Sequence, residues 1–140
     1  QLMKLINAIK GSYSLVKISV IVVLIDLIYL FIIKGMFGQM VKNIQVRPLE
    51  INPLGVLIAY IFISIAIEKF IIIPKENLST AFLLGLVIYG IFEGTSLAIF
   101  NQWSLKVVLI DTIWGGTLFY LTTRAYRYFN ESARIKNKSK

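Results

Sequence analysis

Three carboxylates sit where carboxylates are costly. Asp26, Glu93 and Asp111 each lie inside a long apolar run, in a chain with no histidine and no cysteine. An acid at membrane depth usually faces a partner, a cavity or an ion path. The chemistry open to it is proton exchange, binding of a small cation, or hydrogen bonding across helices. Without His or Cys there is no zinc site, thiolate chemistry or Ser-His pair, and no catalytic residue can be assigned. Residues 85–94 are not a phosphate loop, because they are apolar and lack Gly-Lys-Ser/Thr. No cofactor or bound metal is implied.

Elements that could position these acids follow from composition and length. The chain has 140 residues, 57% of them hydrophobic, with mean hydropathy +0.77, too apolar for an ordinary soluble fold. Four apolar runs cover residues 15–33, 54–73, 78–100 and 105–123. Each approaches the roughly 20 residues needed to cross the hydrocarbon core as a helix. None alternates with a period of two, as strands of a membrane barrel would. The expected fold is an all-α integral membrane protein, a single four-helix bundle over 1–140 with a basic tail at 124–140.

Basic residues set the expected orientation. Eleven of the fifteen lie in the N-terminal flank, the second loop and the C-terminal tail, and four lie on the other side. The positive-inside rule then places both termini in the cytoplasm or its topological equivalent. The net charge of +8 therefore reads as topology and as contact between the tail and anionic lipid. No nucleic-acid motif accompanies it. No small-x-small site follows the first run, so it is expected to remain as an anchor. The spacing of Phe37, Met40, Val41 and Ile44 predicts a short helix lying in the outer interface, and Leu2, Leu5, Ile6 and Ile9 repeat it. Glu68 and Lys69 are expected near the surface, where both can snorkel.

With that topology the three acids share one depth. Asp26 lies near the centre of its span, and Glu93 and Asp111 are displaced outward by only ~5–7 Å at 1.5 Å per residue. The same layer offers Tyr29, Tyr89, Thr95, Ser96, Thr112 and Trp114, and no basic residue. On an insertion scale a central Asp costs about 3 kcal/mol and each large aliphatic residue or Phe returns roughly 0.3–0.6. Thirteen such residues over 18–33 carry Asp26 easily, whereas eight over 105–119 barely offset Asp111. The fourth helix should therefore need its neighbours, with Asp111 turned inward. Three ionised carboxylates close together would repel, so at least one should hold a proton or share a cation. Gly90, Gly94 and Ala98 form a small-residue stripe expected to let another helix approach, and Gly115 shares a face with Asp111.

The motif Tyr89-Gly90-Ile91-Phe92-Glu93-Gly94-Thr95-Ser96-Leu97-Ala98, then Trp103, then Asp111-Thr112-Ile113-Trp114-Gly115, resembles an uncharacterised family of small predicted four-span membrane proteins. Members typically show Tyr-x-x-Tyr-Asp-Leu-Thr-Asn-x-Ala, a Trp, and Asp-x-x-Trp-Gly. The family's first-span Asp-x-x-Tyr/Trp matches Asp26-Leu27-Ile28-Tyr29, and Asn52-Pro53, Tyr60 and Pro74 are similarly placed. Glu93, Gly94 and Ser96 depart from the Asp, Leu and Asn of the family pattern. The resemblance covers roughly residues 15–125 and implies fold and topology, not activity. It is mostly bacterial, with members in large DNA viruses.

Two function classes lead. One is a scaffold that structures a membrane or a membrane-containing assembly, a virion's inner membrane among them. It would bind other membrane or capsid proteins or further copies of itself. The abundance of isoleucine, 24 residues, fits an AT-rich viral or low-GC bacterial genome. The location would be a bacterial inner membrane or a virion or host internal membrane. The other is a transporter or channel-like module in which Asp26, Glu93 and Asp111, with Tyr29, Tyr89, Ser96 and Trp114, handle a proton or small cation. Four short helices enclose little space, so transport would call for an oligomer. A lipid-directed membrane enzyme is a third class, and no residue pattern carries it.

Overall fold

The computed structural model describes residues 1–138. Lys140, the last basic residue of the expected tail, lies outside them. Four helices are each long and apolar enough to cross a membrane, and no strand occurs among the described residues. Helix α1 spans Leu2–Gln45, α2 Pro53–Ile67, α3 Leu78–Ile99 and α4 Leu105–Lys138.

The first helix differs from its sequence reading. The amphipathic N-terminal segment, the span and the expected interfacial helix form one rod of 44 residues, about 66 Å long. Nothing between Ile33 and Gln45 breaks it, because Lys34 is a good helix former and single glycines cost only about 1 kcal/mol each. The helix stops where Val46 turns left-handed (φ 57°), its N–H held by the Lys42 carbonyl at 2.9 Å. The basic tail behaves likewise, continuing α4 to Lys138.

Turns between the helices follow their capping chemistry. Asn52 accepts from the Leu54 and Gly55 N–H groups while Pro53 opens α2, where a missing N–H costs nothing. The end of α2 widens into a π-helical turn, Glu68–Ile72, in which the Ile73 N–H reaches the Glu68 carbonyl at 2.9 Å. Asn77 caps α3 through the Thr80 N–H at 2.8 Å. Gln102 supplies the positive φ (69°) that the tight turn into α4 requires.

Helices α3 and α4 make the most extensive contact, α1 lies against α4, and α2 leans chiefly on α1. The α3–α4 contact is built on glycine. A Cβ on Gly85 would stand 2.1 Å from the Gly115 carbonyl oxygen. One on Gly115 would enter the Tyr89 ring, and one on Gly116 would meet Phe82. The stripe expected to make this contact, Gly90, Gly94 and Ala98, does not make it. Gly90 only touches Thr112, at 3.4 Å, while Gly94 has nothing within 4 Å and Ala98 is exposed. Helix α3 turns that face away from α4 because Tyr89 and Glu93, one step round, point inward.

The apolar core gathers Ile18, Val22, Ile67, Leu118, Phe119 and Tyr126 in the half nearer the termini. Ser14 and Tyr126 hydroxyls meet there at 2.9 Å, which sets the outer turns of α1 and α4 side by side at one end. The acids occupy the other half.

Candidate functional site

Each helix brings polar groups to the site on its buried face. On α1 the buried residues Ile18, Val22, Asp26, Tyr29 and Ile33 recur at helical spacing, so Asp26 and Tyr29 share the stripe that packs inward. On α4, Asp111 and Trp114 stand one turn above the buried Gly115, Leu118 and Phe119. On α3, Glu93 continues the line of Ala81 and Gly85 and is fully buried.

Aromatic donors, not cations, meet the carboxylates. Tyr60 donates its hydroxyl to Asp26 Oδ2 at 2.6 Å, and Trp114 Nε1 donates to Asp26 Oδ1 at 2.8 Å, so both oxygens are occupied. Tyr29 donates to Asp111 Oδ1 at 2.8 Å and stacks on Trp114, with ring centroids 4.5 Å apart and planes 11° from parallel. Trp103 Nε1 donates to Glu93 Oε2 at 2.8 Å. The Glu93 carboxyl lies beside that of Asp111. Glu93 Oε1 is buried without a hydrogen-bond partner. Among the described residues no Lys or Arg pairs with any of the three acids.

The result is one connected seam. It runs from Tyr60 on α2 through Asp26 on α1 to Trp114 on α4, then through Tyr29 and Asp111 to Glu93 on α3 and Trp103 in the last turn. Two candidate donors stand apart from it. Ser96 spends its hydroxyl on the Phe92 carbonyl of its own helix at 2.8 Å. Tyr89 lies against Gly115 and makes no hydrogen bond through its hydroxyl. Two residues of the seam, Tyr60 and Trp103, were not among the site candidates drawn from the sequence. Tyr60 could have been found by extending the depth argument to the span without an acid. Trp103 lies in a loop, and only the fold of the turn brings its indole back to Glu93.

The seam is closed on one side and open on another. At the end opposite the termini, Trp103 packs edge-on against Phe37 at 6.1 Å and stacks on Phe100 at 5.6 Å. Met40 of α1 accepts the Ser104 N–H at 3.3 Å and completes this cover. Between α2 and α3 there is a cleft of about 510 Å³, walled by Ala59, Phe62, Ala66, Ile88 and Phe92, with Asp111 reaching into it. Phe62 and Phe92 are exposed at its rim, so it opens sideways, toward the space a bilayer would fill.

A second polar group lies toward the termini. Ser19 donates to Ser64 at 2.9 Å, and Ser64 in turn to the Tyr60 carbonyl at 2.7 Å. Glu68 departs from its expected surface position. Its side chain is 4% exposed while that of Lys69, 3.3 Å away, is 55% exposed, so the lysine alone snorkels. The π-helical turn rotates Glu68 inward.

Neither a curated protein nor a solved structure matches the chain. A family model described as "Predicted membrane protein (DUF2177)" matches residues 12–126. That match takes in all four spans and every residue of the acid seam, and the chain is a multi-pass integral membrane protein belonging to this family.

Proposed function

We propose that the chain is a membrane module whose working part is the carboxyl seam, and that the seam takes up and releases a proton. The observation that carries this reading is Glu93 Oε1, buried beside Asp111 without a hydrogen-bond partner. A buried carboxylate oxygen without a donor is costly. One proton between the two acids removes the cost, because the protonated carboxyl donates to the other. Glue alone would be expected to satisfy every oxygen, as it does at Asp26. A proton suits the site better than a metal ion, since no three acids converge as a metal cluster among the described residues. In this reading the chain carries no covalent chemistry, and the distribution of basic residues favours both termini in the cytoplasm.

The test is dissipation of an imposed pH gradient in proteoliposomes. Wild type should collapse the gradient faster than empty vesicles, and Glu93→Gln and Asp111→Asn should reduce it to the empty-vesicle rate. Equal rates for all three proteins would overturn the proposal.

A scaffolding role in a membrane or membrane-containing assembly is the second reading. It is favoured by the uncovered face of α3 at Gly94 and Ala98, where another helix could approach closely. Cysteine at Ala98 should cross-link to a neighbouring chain in native membranes if that face is used. Lack of any cross-link there would count against it.

A further inference from the structure

The cleft between α2 and α3 has a composition that selects its occupant. Its walls are apolar, its mouth faces sideways, and its charged lining residue is Asp111. A volume of about 510 Å³ lies within the range of small-molecule sites, roughly 300–1,000 Å³. A few polar groups set in apolar walls are what orient a ligand in such sites.

The charge at the cleft floor has one sign. Glu93 is buried beside Asp111, and Asp26 is joined to Asp111 through Trp114 and the Tyr29 ring stacked on it. Among the described residues no Lys or Arg forms a salt bridge with these acids. Tyr89 and Phe92 add two aromatic side chains to the lining. Aromatic faces attract an ammonium group, most strongly where water is excluded. An anionic head group would meet repulsion there, and a neutral one would gain no attraction from the charge.

Access narrows the choice further. The Trp103, Phe37 and Met40 cover closes the seam toward the nearer aqueous side, whereas Phe62 and Phe92 are exposed at the lateral mouth. A ligand reaching Asp111 by this path comes from the bilayer and carries an apolar body.

We infer that the α2–α3 cleft binds a lipophilic amine, its hydrocarbon body between Phe62 and Phe92 and its ammonium group on Asp111. The inference rests on the reading of the carboxyl seam as a working ionisable site. In the bound state the ammonium supplies the positive charge and the donors that the Glu93–Asp111 pair otherwise finds in a shared proton. Amine binding and proton release are therefore coupled through one pair of carboxyls.

Photolabelling in proteoliposomes tests the inference, using a diazirine-bearing dodecylamine beside the matched dodecanol and dodecanoic acid. The amine should label the segments carrying Ala59 to Ala66 and Ile88 to Phe92 about tenfold more than the alcohol, a modest return for a desolvated charge pair. Asp111→Asn should bring amine labelling down to the alcohol level, and Asp111→Glu should keep most of it. The comparison of the three probes on wild type needs no variant, so a misfolded Asp111→Asn would not rescue the idea. Equal labelling by amine and alcohol, as an ordinary bilayer lipid would give, overturns the inference. So does amine labelling that Asp111→Asn leaves unchanged. If the pH gradient collapses in wild type while labelling fails, the amine site alone falls. If labelling depends on Asp111 while the gradient persists, proton conduction falls and the site stands.

Discussion

Asp26 and Glu93 are both buried acids, yet their substitution should have opposite consequences. Asp26 accepts two hydrogen bonds, one on each oxygen. Asparagine keeps one acceptor oxygen for Trp114 and turns its amide N–H₂ to the Tyr60 hydroxyl, which can accept but then loses the acceptor for its own proton. Asp26→Asn should therefore destabilise the bundle by about 1–3 kcal/mol, the cost of a buried polar group left unpaired. Glu93→Gln differs, because its amide can donate to Asp111 while its oxygen keeps the Trp103 bond. Thermal unfolding in detergent should show a lower midpoint for Asp26→Asn and an unchanged or higher one for Glu93→Gln. A large loss of stability in Glu93→Gln would remove the shared-proton account of that pair.

At the scale of elements, glycine position decides what a side chain can do. Gly85 touches the backbone of Gly115, so Gly85→Leu should drive α3 and α4 apart and cost several kcal/mol, beyond the roughly 1–3 of ordinary overpacking. Gly94→Leu meets open space and should leave the fold of one chain intact. Detergent-solubilised yield and unfolding temperature of the two variants check this, and similar losses in both would contradict the packing described. The sequence made the four spans legible, since a run of about 20 apolar residues has few other fates. It made the three acids legible too, because charge inside such runs stands out. The close helix contact was not legible. Gly85, Gly90, Gly94, Gly115 and Gly116 look alike in sequence, and only the rotation of α3, fixed by where Tyr89 and Glu93 point, selects among them. The length of α1 was misread for a related reason. A basic residue such as Lys34 marks where a membrane ends, but it does not end a helix.

The whole molecule is a bundle with its polar seam displaced toward the end away from its termini. The orientation proposed from the basic residues is checked at that end. A cysteine replacing exposed Gln102 should react with a membrane-impermeant maleimide added from outside the cytoplasm, and not from within it. Labelling only from the cytoplasmic face would invert the topology. The hydrogen bonds of the seam also carry a statement about time. Trp114 closes onto Asp26, and Tyr29 onto Asp111, so the earliest-made of these four helices is tied to the latest-made. Of the two donors to Asp26, Tyr60 is made before Trp114, so the acid is expected to be half-satisfied until α4 is in place. That helix, in turn, carries an Asp its own apolar residues barely offset. Its entry into the bilayer is thus expected to depend on a seat already prepared by α1. A chain translated without its first helix should leave α4 outside the hydrocarbon, however normal the sequence of α4 itself.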